Sequence, residues 1–144
     1  MRLLKSSLVP ASIVLSSFFA AGCSKGPEIG EVEGVVKWNG QPVPFAYVVF
    51  QPVDPPGTYG SAYTNESGEY RLQFSESRNG ALVGKHKVTI RTSAKDEIEV
   101  EDRTTGKMIK PPLPKGYQEK VELTFDREVA SGENSVDFDL AQGS

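Results

Sequence analysis

From Glu31 onward, apolar residues recur at every second position along most of the chain. Val32, Gly34, Val36 and Trp38 share one side and Glu31, Glu33 and Lys37 the other, which is the period of a half-buried β-strand. Asn39-Gly40, a pair that tolerates positive φ, predicts a tight hairpin turn, and Pro42 and Pro44 exclude a central strand directly after it. Ala46 to Gln51 reads as a second strand, apolar on both faces and therefore central. A bend over Pro52 to Gly57 and a short strand from Gly60 to Thr64 follow. Asn65-Glu66-Ser67-Gly68 then predicts a hairpin turn into Tyr70, Leu72 and Phe74. The clearest alternation sets Gly84, His86, Val88 and Ile90 against Lys85, Lys87, Thr89 and Arg91. Val121, Leu123 and Phe125 resume the period, and Ser131 to Asn134 turns the chain into Val136, Phe138 and Leu140, read as a closing hairpin before a tail at 141–144.

The pattern fails between Ala94 and Lys120. An acidic run (Asp96, Glu97, Glu99, Glu101, Asp102) precedes Lys110-Pro111-Pro112-Leu113-Pro114-Lys115-Gly116-Tyr117. A loop of this length in a small domain is functional or mobile, and its prolines predict a semi-rigid, polyproline-like arm. Ile98 and Val100 suit a short edge strand. Within the arm the candidate partner-binding residues are Lys110, Pro112, Pro114 and Tyr117. About seven short strands and no helix over residues 31–140 predict a two-sheet antiparallel β-sandwich.

The N-terminal residues follow a different logic. Met-Arg-Leu-Leu-Lys is a basic opening, and Leu8 to Ala21 is an apolar run shorter than the roughly 20 residues of a membrane span. Ala20-Ala21-Gly22 leads to Cys23, the chain's one cysteine. This resembles the bacterial lipoprotein signal, in which a small residue precedes a cysteine that is lipidated on sulfur and becomes the new N-terminus; it departs from the usual pattern at Ala20, where a branched aliphatic is customary. The resemblance implies a removable signal peptide over 1–22, lipidation of Cys23, a tether over 23–30 and a membrane partner reached through the lipid anchor. Ser24, in the place where an Asp signals inner-membrane retention, points to the outer membrane.

Composition narrows the chemistry. Hydrophobic residues at 38% and charged residues at 24% fit one globular domain. Of the 16 basic side chains, Arg2 and Lys5 belong to the leader, leaving 14 against 19 acidic ones. A mildly acidic domain without a basic stripe has no footprint for nucleic acid. A single cysteine excludes an intramolecular disulfide and a cysteine-rich zinc site. His86, the sole histidine, is in phase with the buried face and has no second imidazole to join it in a metal or general-base role. Asn65 and Ser67 imitate the start of a calcium loop, but Glu66 and Glu69 miss the alternating ligand positions. No catalytic, cofactor-binding or metal-ligating constellation emerges.

Gly34-Val35-Val36, Asn39-Gly40-Gln41-Pro42-Val43, Val48-Val49-Phe50, the run from Thr64 to Tyr70, Gly84 to Ile90, and Gly132-Glu133-Asn134 through Leu140 together resemble the carboxypeptidase regulatory-like domain, a transthyretin-type sandwich. Asn65 stands where that family has Asp, and His86 occupies an aromatic slot. The resemblance covers residues 31–140 and implies a Greek-key sandwich with accessory or binding roles. The expectation is a non-catalytic, lipid-anchored envelope module that binds or scaffolds a protein or polysaccharide. An alternative is carbohydrate binding through exposed rings, with Tyr47, Tyr59 and Tyr117 as candidates. A transthyretin-related hydroxyisourate hydrolase would bring paired histidines, an Arg and a Tyr-Arg-Gly-Ser tail; this chain has one His and ends Ala-Gln-Gly-Ser.

Overall fold

The computed structural model describes residues 22, 26–54 and 56–142. The expected signal peptide, apart from Gly22, and Cys23, the expected lipidation site, lie outside the described residues. The strands are β1 (Ile29–Trp38), β2 (Gln41–Pro42), β3 (Tyr47–Asp54), β4 (Gly60–Tyr63), β5 (Glu69–Arg71), β6 (Gln73–Ser75) and β7 (Arg78–Asn79). They continue as β8 (Ala81–Leu82), β9 (Gly84–Arg91), β10 (Val100–Glu101), β11 (Met108–Ile109), β12 (Glu122–Val129), β13 (Glu133–Ser135) and β14 (Phe138–Asp139). A single 3₁₀ turn, Lys95–Glu97, is the helical element among the described residues, so the fold is all-β.

One sheet is built on β1, which is antiparallel to β8, β5 and β2 in turn and parallel to β13 and β14. The other runs in the order β12-β9-β3-β4-β6-β7 and is antiparallel throughout. The alternation read from the sequence decides which side chains face inward. Val32 and Val36 from β1, Val48 and Phe50 from β3, and Val88 and Ile90 from β9 are fully buried. Asn39 and Gly40 take φ of 48° and 76° and close the β1–β2 hairpin with Trp38 opposite Gln41.

Aromatic rings bridge the sheets. Phe138 lies 5.0 Å from Phe125 and 6.2 Å from Phe50, and Phe50 in turn lies 5.7 Å from His86. Pairs at these separations add about 0.5–1.5 kcal/mol each beyond their buried area. His86 is thus a core ring: it is 1% exposed, its Nε2 lies 2.6 Å from the Leu82 carbonyl oxygen, and its Nδ1 has no partner.

Two expected hairpins are not formed. The Asn65–Gly68 turn exists, but it passes the chain from β4, which pairs with β3 and β6, to β5, which pairs with β1. Likewise β12 and the Val136–Leu140 stretch belong to different sheets, and the last strand runs parallel to β1. Period two determines which face is buried and not which neighbour is paired, so both turns look like hairpins in sequence and act as crossovers. The bend expected from Pro52 starts late, because β3 continues to Asp54 with a register shift between Pro52 and Asp54. In the arm, Val100 pairs with Ile109 in a small hairpin of its own, while Ile98 packs into the core.

The parallel seam requires Gly34. A Cβ there would lie 1.9 Å from the Val136 carbonyl oxygen and 2.6 Å from its carbon, both backbone atoms. Gly34→Ala is therefore expected to cost about 2 kcal/mol or more, measured as a lower urea midpoint at unchanged slope. A midpoint equal to that of the unaltered protein would show that the seam can shift without penalty.

Candidate functional site

Strand direction gives the sandwich two distinct ends. β1 enters at Ile29 and leaves at Trp38, about 30 Å away at the usual rise per residue. At the entry end, Val83 N donates to the Glu28 carbonyl at 3.0 Å, Ser131 bonds the Glu28 carboxylate, and Gly84 pairs with Val129. At the other end, Arg91 pairs with both Tyr47 and Glu122, and the arm departs.

The arm is clasped at its neck. Val121 N donates to Thr92 Oγ1 and Thr92 N to the Val121 carbonyl, each at 2.9 Å, and Lys95 N donates to Glu119 at 2.9 Å. Its proline run packs against the β1–β2 hairpin. Trp38, Pro42, Pro114 and Tyr117 border a recess of about 280 Å³, and Pro44, Phe45, Pro112 and Leu113 border an adjoining one of about 370 Å³. Of the four arm residues expected to meet a partner, Lys110 and Pro112 are exposed, Pro114 is half-buried, and Tyr117 is 7% exposed within the core. Tyr117 is therefore a packing residue and not a surface ring. Burial raises its phenol, with the Ser93 backbone opposing and the Glu119 carboxylate adding to the rise.

The three tyrosines considered from sequence do not meet. Tyr59 lies in the connection from β3 to β4, near the entry end, and is 48% exposed. Tyr47 instead meets Tyr63, which the sequence reading passed over. Their rings are 4.7 Å apart at 36°, and Tyr63 is 66% exposed. The outward phase of β4, with Gly60 and Thr64 inward, was the available signal for Tyr63. Register continues the row across the outer face as Tyr63, Tyr47, Arg91 and Glu122. The Arg91 guanidinium lies 5.6 Å from the Tyr47 ring centre and 3.9 Å from the Glu122 carboxylate.

Tyr63 stands between two recesses. One, of about 380 Å³, is bordered by Tyr47, Arg91, Ser93, Glu97, Lys120 and Glu122. The other, of about 540 Å³, is bordered by Glu33, Asn65, Glu69, Arg71, Ser135 and Asp137. Asn65 is engaged in its turn, its Oδ1 accepting from Ser67 N at 2.9 Å and Glu69 N at 3.0 Å. Asp137 accepts from Val35 N at 2.8 Å, and Arg71 donates to Glu31 at 3.2 Å. This arrangement presents ring faces, carboxylates and guanidinium groups to a ligand. His86 sits in the core on the entry-end half of β9, and among the described residues no group of acidic, His or Cys side chains has the geometry to hold a metal. Comparison of the chain with family models, curated proteins and solved structures finds no match.

Tyr70, at the floor of the larger recess, donates to the Val136 carbonyl at 2.5 Å. Burial first, and the Asp137 carboxylate second, push its phenol far above the ordinary 10.0, with Arg127 opposing. A raised value means the folded protein holds this proton more tightly than the unfolded chain. The stabilisation is thus complete below about pH 10 and is lost as pH rises above it. Urea midpoints measured from pH 7 to 11 are expected to fall beyond pH 10. In Tyr70→Phe the neutral-pH stability should drop by about 1 kcal/mol, the worth of the lost hydrogen bond, and the alkaline fall should become shallower. An unchanged alkaline slope would remove Tyr70 as its source.

Proposed function

We propose that this chain is a non-catalytic, lipid-anchored module of the bacterial cell envelope, held through Cys23, most simply at the outer membrane, and presenting the arm end of its sandwich to an envelope protein or polysaccharide. The observation that carries this reading is polarity: the chain leading from residue 26 joins the sandwich at Glu28 and Ile29, at the opposite end from the arm, the Tyr47–Tyr63 pair and Trp38. A lipid at Cys23 would hold the entry end near the bilayer and carry the arm end about 30 Å outward.

We further infer a Greek-key sandwich of the carboxypeptidase regulatory-like kind. With β13 and β14 counted as one strand, it and β1, β3, β4, β5, β9 and β12 make seven principal strands in two sheets. That number supports the carboxypeptidase regulatory-like, Greek-key reading. A second reading, carbohydrate binding, is favoured by exposed Tyr63 packed on half-buried Tyr47.

Anchoring is tested by expressing the full chain in a diderm bacterium, separating membranes, and measuring the intact mass of the mature protein. The expected product begins at Cys23, carries the mass of its acyl chains and sediments with the outer membrane, while Cys23→Ser stays unacylated. A mature N-terminus elsewhere, or an unmodified cysteine, would sink the anchoring proposal.

A further inference from the structure

The outer face of the six-stranded antiparallel sheet carries an aromatic ridge at its arm end. Tyr63 projects from β4 as a ridge with a recess on either side, and Tyr47 and Arg91 back it from β3 and β9. We infer that this ridge is a binding site for a saccharide chain, lying across Tyr63 with successive sugar rings in the two recesses. The inference rests on the binding-module reading and names the class of ligand.

Sugar rings offer an apolar C–H face and a rim of hydroxyls, and the site offers the complement of both. The ring of Tyr63 is 66% exposed and is propped at 4.7 Å by Tyr47, so its outward face is held in place before any ligand arrives. Around it the groups that reach hydroxyls carry both signs: Arg91, Lys120, Glu97 and Glu122 on one side, Arg71 and Glu69 on the other. Donors and acceptors interleaved in this way suit a polyhydroxylated ligand. A single-sign phosphate or polyanion would face too many carboxylates.

A protein partner would call for a desolvated apolar pocket to seat an anchor side chain. Val35 and Val121 are the aliphatic members of the two linings, and neither is fully buried. Two recesses sharing one ring favour an extended chain over a monosaccharide, since a single sugar covering Tyr63 would leave one of them unused. The platform also stands on hydrogen-bonded strands, with Tyr47 directly opposite both Tyr63 and Arg91. Such support holds aromatic contacts more precisely than a loop does.

The test is calorimetric titration of the detergent-purified full chain with the tetramers of N-acetylglucosamine and of glucose, alongside Tyr63→Ala, Tyr63→Trp and Tyr59→Ala. Tyr63 and Tyr59 are both exposed, so each variant is expected to fold, which the urea midpoint verifies. Saturable binding of at least one tetramer is expected, weakened roughly tenfold or more in Tyr63→Ala, retained in Tyr63→Trp and unchanged in Tyr59→Ala. Absence of saturable binding to both tetramers at millimolar concentration would overturn the inference, as would equal binding by Tyr63→Ala and the unaltered chain. The display reading fails separately. If neither tetramer binds but an envelope protein is captured and lost on substitution in the arm, the saccharide site falls and the display role stands.

Discussion

The sandwich depends on the seam where the first strand meets the last. β1 runs parallel to β13 and β14, bringing Val35 and Asp137 into hydrogen bonding across 102 positions of sequence. Gly34 makes the approach possible by leaving the Val136 carbonyl room, and Tyr70 fixes that same carbonyl from the neighbouring strand. Asn134 closes the lower part, donating to the carbonyls of Glu31 and Ala130 while accepting from Ala130 N. Because β1 is also the partner of β2, β5 and β8, its loss would unpair one whole sheet. Pairings this distant in sequence carry their loop-closure cost before they contribute stability, so folding is expected to be slow for a domain of this size.

Between the sheets, polar groups are spent on closing the core's margins. The Arg127 guanidinium lies 4.8 Å from the Phe138 ring centre and 5.4 Å from that of Phe125, covering the aromatic cluster where β12 meets solvent. At the arm end Thr64 does similar work. Its hydroxyl accepts from Ala46 N at 2.9 Å and donates to the Val43 carbonyl at 2.7 Å, holding Phe45 at a φ of 58°. A bulky residue in the left-handed region persists only where its surroundings over-determine it. Here the strain turns the chain from the proline-rich connection into β3 and sets Tyr47 in register beneath Tyr63.

Much of this was legible in the sequence, and what was not has a physical reason. Alternation identified the inward faces of β1, β3, β9 and β12, and it put His86 in the core, because burial alternates with the pleat whatever the partner strand. Asn39-Gly40 and Asn65 to Gly68 declared their turns through local chemistry. Pairing was not readable, since a turn between two alternating runs looks the same whether its strands share a sheet or cross to another. That ambiguity also hid the proposed site: Tyr47 and Tyr63 are a cross-strand pair, visible once β3 and β4 are in register. Tyr117 misled in the opposite sense, because a tyrosine after prolines and a glycine reads as loop surface, while the arm folds back and buries it.

The placement of the tyrosine ridge has a consequence for how binding at it would behave. The recesses beside Tyr63 are open and shallow, and a site of that kind contributes modest affinity per contact. Under the proposed anchoring, however, many copies share one membrane and present the same end outward, and a saccharide polymer repeats its own unit along its length. Binding of one copy then raises the effective concentration of the polymer for the next, and avidity can exceed the single-site affinity by about 10²–10⁴ without any new contact. Under the proposal, weak sites on a rigid sheet, carried at the end remote from the tether, would thus suffice for firm attachment to a polymer. The same sites would leave each module free to dissociate singly.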